Sequence, residues 1–292
     1  MSDMKISEIV AEKKYSVSFE VFPPKTKDNM ETVVTAARKI ADLKPAFMSV
    51  TYGAGGGTSE YTVEIARQLQ QEQGVPMMAH LTCITSDKET VDRQLVLLKE
   101  KGIQNILALR GDRPEGFEPT EKNFKHAIEL VREIKEFDPN FCIAGACYPE
   151  THPEAETQQE DIKFLKEKVD AGMDFLITQM FFDNAAFYSY MYQLREAGIM
   201  VPVHPGIMPI VNATQMKRTL KLSGSQLPQR FRRILDTFGS TPECMRQAGI
   251  AYATDQIIDL FANGFKTVHV YSMNNPTVAA AIMENLSKII AL

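Results

Sequence analysis

Residues Ser49–Glu60 read SVTYGAGGGTSE, with glycine at 53, 55, 56 and 57 between an apolar run and a segment of helical period. Two folds compete for such a stretch. A dinucleotide-binding turn places Gly-x-Gly-x-x-Gly between the first strand and its helix, with an acidic residue about 20 positions further on. Here Gly53 and Gly55 fit, but position 58 is threonine, and the stretch follows the second apolar run rather than the first. The competing reading is a loop after a barrel strand, where glycines let backbone approach a flat ligand closely. The remaining chain favours the second.

Outward from this stretch, short apolar runs alternate with longer segments of helical period. The runs are Val17–Val21, Phe47–Thr51, Met77–Thr82, Asn105–Leu109, Phe141–Tyr148, Phe175–Met180, Val203–Ile207 and Thr267–Tyr271. Between them lie helical segments at Asp28–Leu43, Tyr61–Gln73, Phe124–Phe137 and Ala185–Ala197, a long helical region over about Ala213–Asn263, and a last helix at Pro276–Ile290. Met30, Val33, Val34, Ala37, Ile40 and Ala41 fall on one face of the first of these. Ser86-Asp87-Lys88-Glu89 and Thr157-Gln158-Gln159-Glu160 have the pattern of capping boxes, each opening a further helix. Alternation of this kind implies a parallel sheet. Eight units predict an α/β fold closed as a (β/α)8 TIM barrel, with extra helices between strands seven and eight; an open doubly wound sheet is the competitor. One such barrel uses about 250 residues, so residues 1–292 are expected to form one domain.

The chain is 44% hydrophobic and 24% charged, enough apolar material for a sizeable core. Its net charge of -5 argues against nucleic acid as a partner. The start lacks a signal-peptide core, and no apolar run reaches the roughly 18 residues of a membrane span. A cytoplasmic protein without a membrane partner is therefore expected. Cys83, Cys142, Cys147 and Cys244 form no Cys-x-x-Cys pair, so no metal is expected and the thiols are read as reduced and in or near the core.

Chemistry in such a barrel sits at the carboxyl ends of the strands. Those ends carry Glu20 and Phe22-Pro23-Pro24-Lys25, Thr51-Tyr52, His80 and Thr82, Arg110-Gly111-Asp112, Tyr148-Pro149-Glu150 with His152, Thr178-Gln179, His204-Pro205-Gly206, and Ser272 with Asn274. A buried polar group without a partner costs about 1–3 kcal/mol. Bonds among themselves account for some of this crown, and a ligand for the remainder.

Phe19-Glu20-Val21-Phe22-Pro23-Pro24-Lys25, Val50-Thr51-Tyr52-Gly53-Ala54-Gly55-Gly56, His80-Leu81-Thr82-Cys83, Leu109-Arg110-Gly111-Asp112, Tyr148-Pro149-Glu150-Thr151-His152-Pro153 and Ile177-Thr178-Gln179 together resemble the 5,10-methylenetetrahydrofolate reductase family. The match runs in the family's order over nearly the whole chain and looks like the bacterial, catalytic-domain-only form, too short for the regulatory domain of the animal enzymes. The resemblance implies a barrel that binds FAD without a dinucleotide fold. It also implies a ping-pong reduction of methylenetetrahydrofolate to 5-methyltetrahydrofolate by NADH or NADPH, serving methionine synthesis. A folate substrate and a homo-oligomer come with it.

Carried over position by position, Glu20 is the candidate acid and Asp112 the candidate stabiliser of a cationic iminium. Apolar surroundings raise a carboxyl pKa, which suits Glu20 to proton transfer; pairing with Lys25 is the structural alternative. For Asp112 the alternative is a turn held by its own side chains. Gln179, Gln215, Asp112 and Thr51 are expected at the substrate, with Phe182 stacking or forming a lid. Thr51, Tyr52, Ala54, His80, Arg110, Gly111, Asp112, Tyr148, His152, Ala155, Asp161 and Lys168 are expected at FAD. Asp161 and Lys168, seven apart, share one helix edge, and the lysine would neutralise a diphosphate. An exposed charge pair is the plain alternative there, and a satisfied core histidine is the alternative for His80. The chain departs from the family pattern at Asn274-Asn275, where some relatives carry arginine, and at Phe164 and Glu167. Three rivals remain: a metal-dependent hydrolase, a non-enzymatic flavin or folate carrier, and a related reductase fed electrons by a partner redox protein.

Overall fold

The computed structural model describes residues 5–24, 26–52, 59–114, 116–214, 216, 219–220 and 224–292. Gly53–Gly57, with Ala54, lie outside the described residues, as do Thr58, Lys25 and Gln215. The strands are β1 (Ser16–Val21), β2 (Met48–Val50), β3 (Met77–Thr82), β4 (Asn105–Leu109), β5 (Cys142–Cys147), β6 (Phe175–Thr178), β7 (Val203–His204), β8 (Gly206–Ile207) and β9 (Thr267–Tyr271). Every pairing among them is parallel, in the order β7-β6-β5-β4-β3-β2-β1-β9-β8. β7 and β8 are two halves of one rung, split at Pro205, which has no backbone N–H to give a ladder. β7 pairs with β6 and β8 with β9, so the sheet closes on itself. The eight expected runs are thus the eight staves of the barrel, with the seventh interrupted.

The helices are α1 (Ile6–Glu12), α2 (Met30–Ala41), α3 (Ser59–Gln73), α4 (Lys88–Glu100), α5 (Ala127–Phe137), α6 (Gln158–Asp170), α7 (Asn184–Glu196), α8 (Gln229–Phe238), α9 (Pro242–Ala262) and α10 (Pro276–Ile290). α8 and α9 are the extra helices expected between the last two staves. Thr157 caps α6 as its sequence indicates, its side chain accepting from Glu160 N. In α4 the cap is Asp87, accepting from Thr90 N, rather than Ser86. The Ser86 backbone is instead tied into the loop below, taking Phe124 N on its carbonyl. No helix among the described residues is long and apolar enough to cross a membrane.

Strand alternation sorts the core into two concentric layers. Val17, Phe19 and Val21 of β1 point outward into the large cluster between sheet and helices. Phe47, Met78, Leu107, Ala144, Phe175 and Ile177 fill a smaller cluster inside the barrel. α1 contributes Ile6 and Val10 to that inner cluster, and Ile6 N donates to Asn105 Oδ1 at 2.8 Å. This helix closes the end of the barrel opposite the strand carboxyl termini, and nothing in the sequence reading anticipated it. A third cluster, Phe182, Met208, Ile210, Met216, Phe231 and Met245, packs the connection after β8 against the barrel. Phe182 is buried there, stacked on Phe231 at 5.6 Å, so it serves packing rather than ligand stacking. Cys83, Cys142 and Cys147 are buried free thiols, whereas Cys244 is exposed, a correction to the expectation of four core cysteines.

Candidate active site

β1 runs Ser-Val-Ser-Phe-Glu-Val, and its alternation turns Ser18 and Glu20 into the barrel lumen while its apolar residues face the helices. Register then sets the neighbours: Ser18 lies beside His269 and Glu20 beside Tyr271 on β9, and Glu20 lies beside Ser49 on β2. Glu20 stands at the upper edge of the filled interior, its side chain 19% exposed. Burial pushes its carboxyl up to about 8. Its Oε2 is 3.5 Å from His80 Nε2 and 3.9 Å from His269 Nε2. Neither histidine supplies a cation: burial pulls His80 down to about 3, and burial with repulsion from His80 and His204 drives His269 far below its ordinary range. His80 Nε2 is buried without a hydrogen-bond partner. That sets aside the reading of His80 as a satisfied core histidine. Lys25, the alternative partner for Glu20, falls outside the described residues.

Above this acid lies a cavity of about 380 Å³ lined by Glu20, Thr51, Tyr52, His80, Arg110, Gly111, Asp112, Tyr148, His152, Gln179, Met208 and Tyr271, among others. A second crevice of about 370 Å³ runs outward between the ends of β4 and β5 and helices α5 and α6. Arg110, Tyr148, His152, Leu109 and Ala146 line both, so the two are halves of one elongated crevice. Ala155, Asp161, Phe164, Glu167 and Lys168 line the outer half. Glu20, Asp112, Gln179, Thr51 and every described residue named for FAD therefore line one of the two halves, whereas Phe182 lines neither. Ala54 and Gln215 lie outside the described residues.

Local structure explains several placements. Gly111 has φ +85°, and a Cβ there would sit 2.8 Å from Thr82 Cβ, so the turn that swings Asp112 over the cavity requires glycine. Gly206 is equally constrained, because an added Cβ would meet the Thr178 carbonyl at 2.2 Å and the Tyr271 hydroxyl at 2.6 Å. The Thr178 hydroxyl accepts from Gly206 N at 2.8 Å, and the Thr178 carbonyl accepts from Tyr271 Oη at 2.6 Å, sewing β6, β8 and β9 together beneath the cavity. Gln179 turns its amide oxygen onto Met180 N at 2.9 Å, which leaves the amide NH2 for the lumen. The Arg110 fork grips both carboxylate oxygens of Glu154, and its Nε reaches Gly111 O at 3.3 Å.

In the outer half, Asp161 Oδ2 accepts from His152 N at 2.9 Å and so braces the loop that carries His152, whose ring meets Tyr148 edge-on at 4.6 Å. Burial raises the Asp161 carboxyl and lowers the Lys168 ammonium, with their mutual attraction acting against both shifts. The lysine reaches Ala146 O at 3.4 Å. Neither is the exposed charge pair of the plain alternative.

Four side chains here went unnoticed in the sequence. His269, Tyr271, Ser18 and Ser49 lie within strands, one to three residues before the strand-end positions named from the sequence. His204, placed in the crown from the sequence, points into the filled interior instead. It stacks on Phe175 at 4.7 Å and leaves Nδ1 without a partner. Asn274 is occupied with structure: its side chain accepts from Phe22 N and donates to Phe22 O, each at 2.9 Å. Asn275 caps α10.

The fold and the crevice define a parallel α/β barrel with an enzyme-type cleft at the strand carboxyl ends. Residues 5–287 match the family described as Methylenetetrahydrofolate reductase. The chain is 37% identical over 298 residues to Methylenetetrahydrofolate reductase (NADH) 1 of Zea mays, covering 98% of this chain and 50% of that protein. It is 35% identical over 274 residues to 5,10-methylenetetrahydrofolate reductase of Escherichia coli, covering 93% of this chain and 90% of that one. Thus it spans about half the length of the plant relatives it matches and most of the bacterial one. Among solved structures, a protein from Clostridium thermocellum described as binding two copies of 5-methyl-5,6,7,8-tetrahydrofolic acid superposes with a TM-score of 0.69 at 12% identity, over 99% of each chain. That likeness concerns the fold. The chain belongs to the methylenetetrahydrofolate reductase family.

Proposed function

We propose that this chain reduces 5,10-methylenetetrahydrofolate to 5-methyltetrahydrofolate, using NADH or NADPH through FAD in a ping-pong sequence. The observation that carries the reading is a buried carboxyl, Glu20, with its pKa raised to about 8, at the floor of a crevice whose two halves hold about 380 and 370 Å³. The residues fit FAD. The inner half offers an orphaned His80 Nε2 and the aromatic face of Tyr148, and the outer half offers two cations, Arg110 and Lys168, suited to a diphosphate. FAD, when bound, supplies the two-electron carrier between the nicotinamide and the folate.

The chain's own groups do the rest. The methylene carbon of the substrate bridges two nitrogens and accepts a hydride poorly until one C–N bond breaks. Glu20 holds the proton that the departing nitrogen takes, which leaves an iminium cation on the folate and a carboxylate on Glu20. At pH 7 a carboxyl of pKa about 8 is mostly in the acid form required. Asp112, fixed over the cavity by the Gly111 turn, places a negative charge opposite that cation. The free NH2 of Gln179 serves an acceptor on the pterin or on the nicotinamide, as two substrates sharing one pocket require. Thr51 closes the side next to Glu20.

The absorption spectrum of the purified protein tests this. Oxidised-flavin bands that NADH bleaches and methylenetetrahydrofolate restores are expected. A colourless chain that takes up no added FAD would overturn the reading.

A further inference from the structure

Ser18 and His269 are not among the residues given a role above, yet their hydrogen bonds determine what Glu20 meets. Ser18 Oγ lies 3.0 Å from the Val268 carbonyl oxygen and 2.8 Å from His269 Nδ1. A carbonyl oxygen only accepts, so the single proton of Ser18 goes to Val268. Toward His269 the hydroxyl then has only lone pairs, and Nδ1 must carry the ring proton. His269 is fully buried and neutral, and its ring stacks on Phe47 at 5.5 Å, which fixes its plane. With Nδ1 protonated, Nε2 bears a lone pair. It accepts from Ser49 Oγ at 3.1 Å and faces Glu20 Oε2 at 3.9 Å with no hydrogen to offer.

The other neighbours of Glu20 behave alike. Tyr271, beside it on β9, directs its hydroxyl proton to the Thr178 carbonyl, which leaves oxygen lone pairs for the cavity. Of the charged side chains lining the cavity, Arg110 commits its fork to Glu154 and Asp112 is acidic. From β3, His80 presents Nε2, without a hydrogen-bond partner, at 3.5 Å from Glu20 Oε2, and as a neutral ring it brings no cation to the carboxyl. His269 and Tyr271 on β9 thus withhold donors that an ionised Glu20 would need.

We propose that Ser18 and His269 are positioning residues: Ser18 locks His269 in the Nδ1–H tautomer, and that tautomer denies Glu20 an N–H donor, so the carboxyl keeps its proton until the folate nitrogen takes it. The inference rests on the reading of Glu20 as the acid, but its test needs no substrate. In the purified chain, nitrogen-15 spectra should show His269 as the neutral Nδ1–H form. The protonated-carboxyl infrared band of Glu20, assigned by its loss in Glu20→Gln, should titrate well above the ordinary carboxyl range. In Ser18→Ala the lock is gone, the Nε2–H form becomes populated, and the proton affinity of Glu20 should fall by about tenfold, one pKa unit. Ser18→Thr, which keeps the hydroxyl, should restore it, and the basic limb of the folate half-reaction's pH profile should move with the band. An Nε2–H His269 in the unmutated chain, or a Glu20 band that titrates alike with and without the Ser18 hydroxyl, would overturn the inference. The tautomer measurement stands even if Ser18→Ala fails to fold. Normal folate turnover in Glu20→Gln would instead remove the acid role and leave the tautomer result untouched.

Discussion

The inner and outer halves of the crevice share five wall residues yet follow opposite electrostatic rules. Around Glu20 the ionisable groups are buried and face one another without strong donors, so each relaxes toward its neutral form. Around Lys168 and Arg110 every cation has an acidic neighbour, Asp161 in one case and Glu154 in the other. Desolvation without compensation tunes a pKa, whereas compensated charge provides a grip. A reaction that moves a proton in one place and holds an anionic cofactor in another needs both. The barrel supplies them by putting the first inside the ring of strands and the second between the helices.

The sharpest way to break the contrast is to remove the one proton that the inner half guards. Glu20→Gln preserves size and polarity but cannot release a proton. Folate reduction should fall by about a thousandfold, within the range assigned to a lost general acid. NADH oxidation with an artificial acceptor should continue, and stopped-flow traces of the two half-reactions separate the outcomes. A folate rate within tenfold of the parent would remove Glu20 from the chemistry.

The same substitution should reshape stability against pH. Glu20 has a folded pKa of about 8 against 4.5 in the free side chain. Between those values the unfolded chain gives up its proton while the folded chain keeps it, so this group's contribution is present below 4.5 and is lost as pH rises to 8. His80 and His204 act in the opposite sense. Their folded values near 3 lie below the free 6.5, so their contribution holds above 6.5 and fades as pH falls toward 3. Glu20→Gln should therefore flatten only the alkaline side, gaining about 2–4 kcal/mol on the parent between about pH 5 and about pH 8.5. Urea melts at the two values measure it. A parallel pH dependence for both proteins would mean that Glu20 ionises freely.

In the outer half, Lys168→Met keeps the buried stem and removes the charge. Loss of a charge-assisted bond to a diphosphate is worth about 1.5–3 kcal/mol, so FAD should bind about 10- to 100-fold more weakly. The affinity is read from flavin fluorescence quenching, with the pH profile of the folate half-reaction unchanged once the site is saturated. A shifted profile would show that the two halves are coupled rather than separate.

The contrast also sorts what the sequence could reveal. The staves were legible because each is a short apolar run bounded by polar residues, and their helices because one face repeats at the helical period. Strand ends pointed to Glu20, Arg110, Asp112, Tyr148 and Gln179, since polar groups stand out where an apolar run stops. Ser18, Ser49, His269 and Tyr271 were hidden by the same logic. They sit within runs where alternation turns them inward, and a lone serine inside a strand looks like tolerance, not purpose. Only the register, which pairs positions about 250 apart such as Ser18 with His269, brings them together. The α1 plug was invisible for a similar reason. Seven residues bury just Ile6, Ile9 and Val10, too few to show a period, and their value comes from the open barrel end they happen to fill. Pro205 signalled a break in the seventh stave that the apolar run around it concealed.

The smallest expected effect lies at the junction of the two halves. Arg110 lines both cavities, yet its fork is held by Glu154, whose side chain is 62% exposed. If Arg110 turns to an anionic cofactor, that ion pair must first open, and Glu154 competes with the cofactor for the same five donors. An exposed pair of this kind contributes at most about 1 kcal/mol, so Glu154→Ala should tighten FAD binding by about two- to fivefold. The gain should shrink as salt is raised, because screening weakens the competitor in the parent protein. It should also vanish in an Arg110→Met background, where there is no fork to release. Unchanged affinity in Glu154→Ala at low salt would place Arg110 on the side of structure, tying the β4 loop to the β5 loop, and would leave Lys168 as the cation that grips the cofactor.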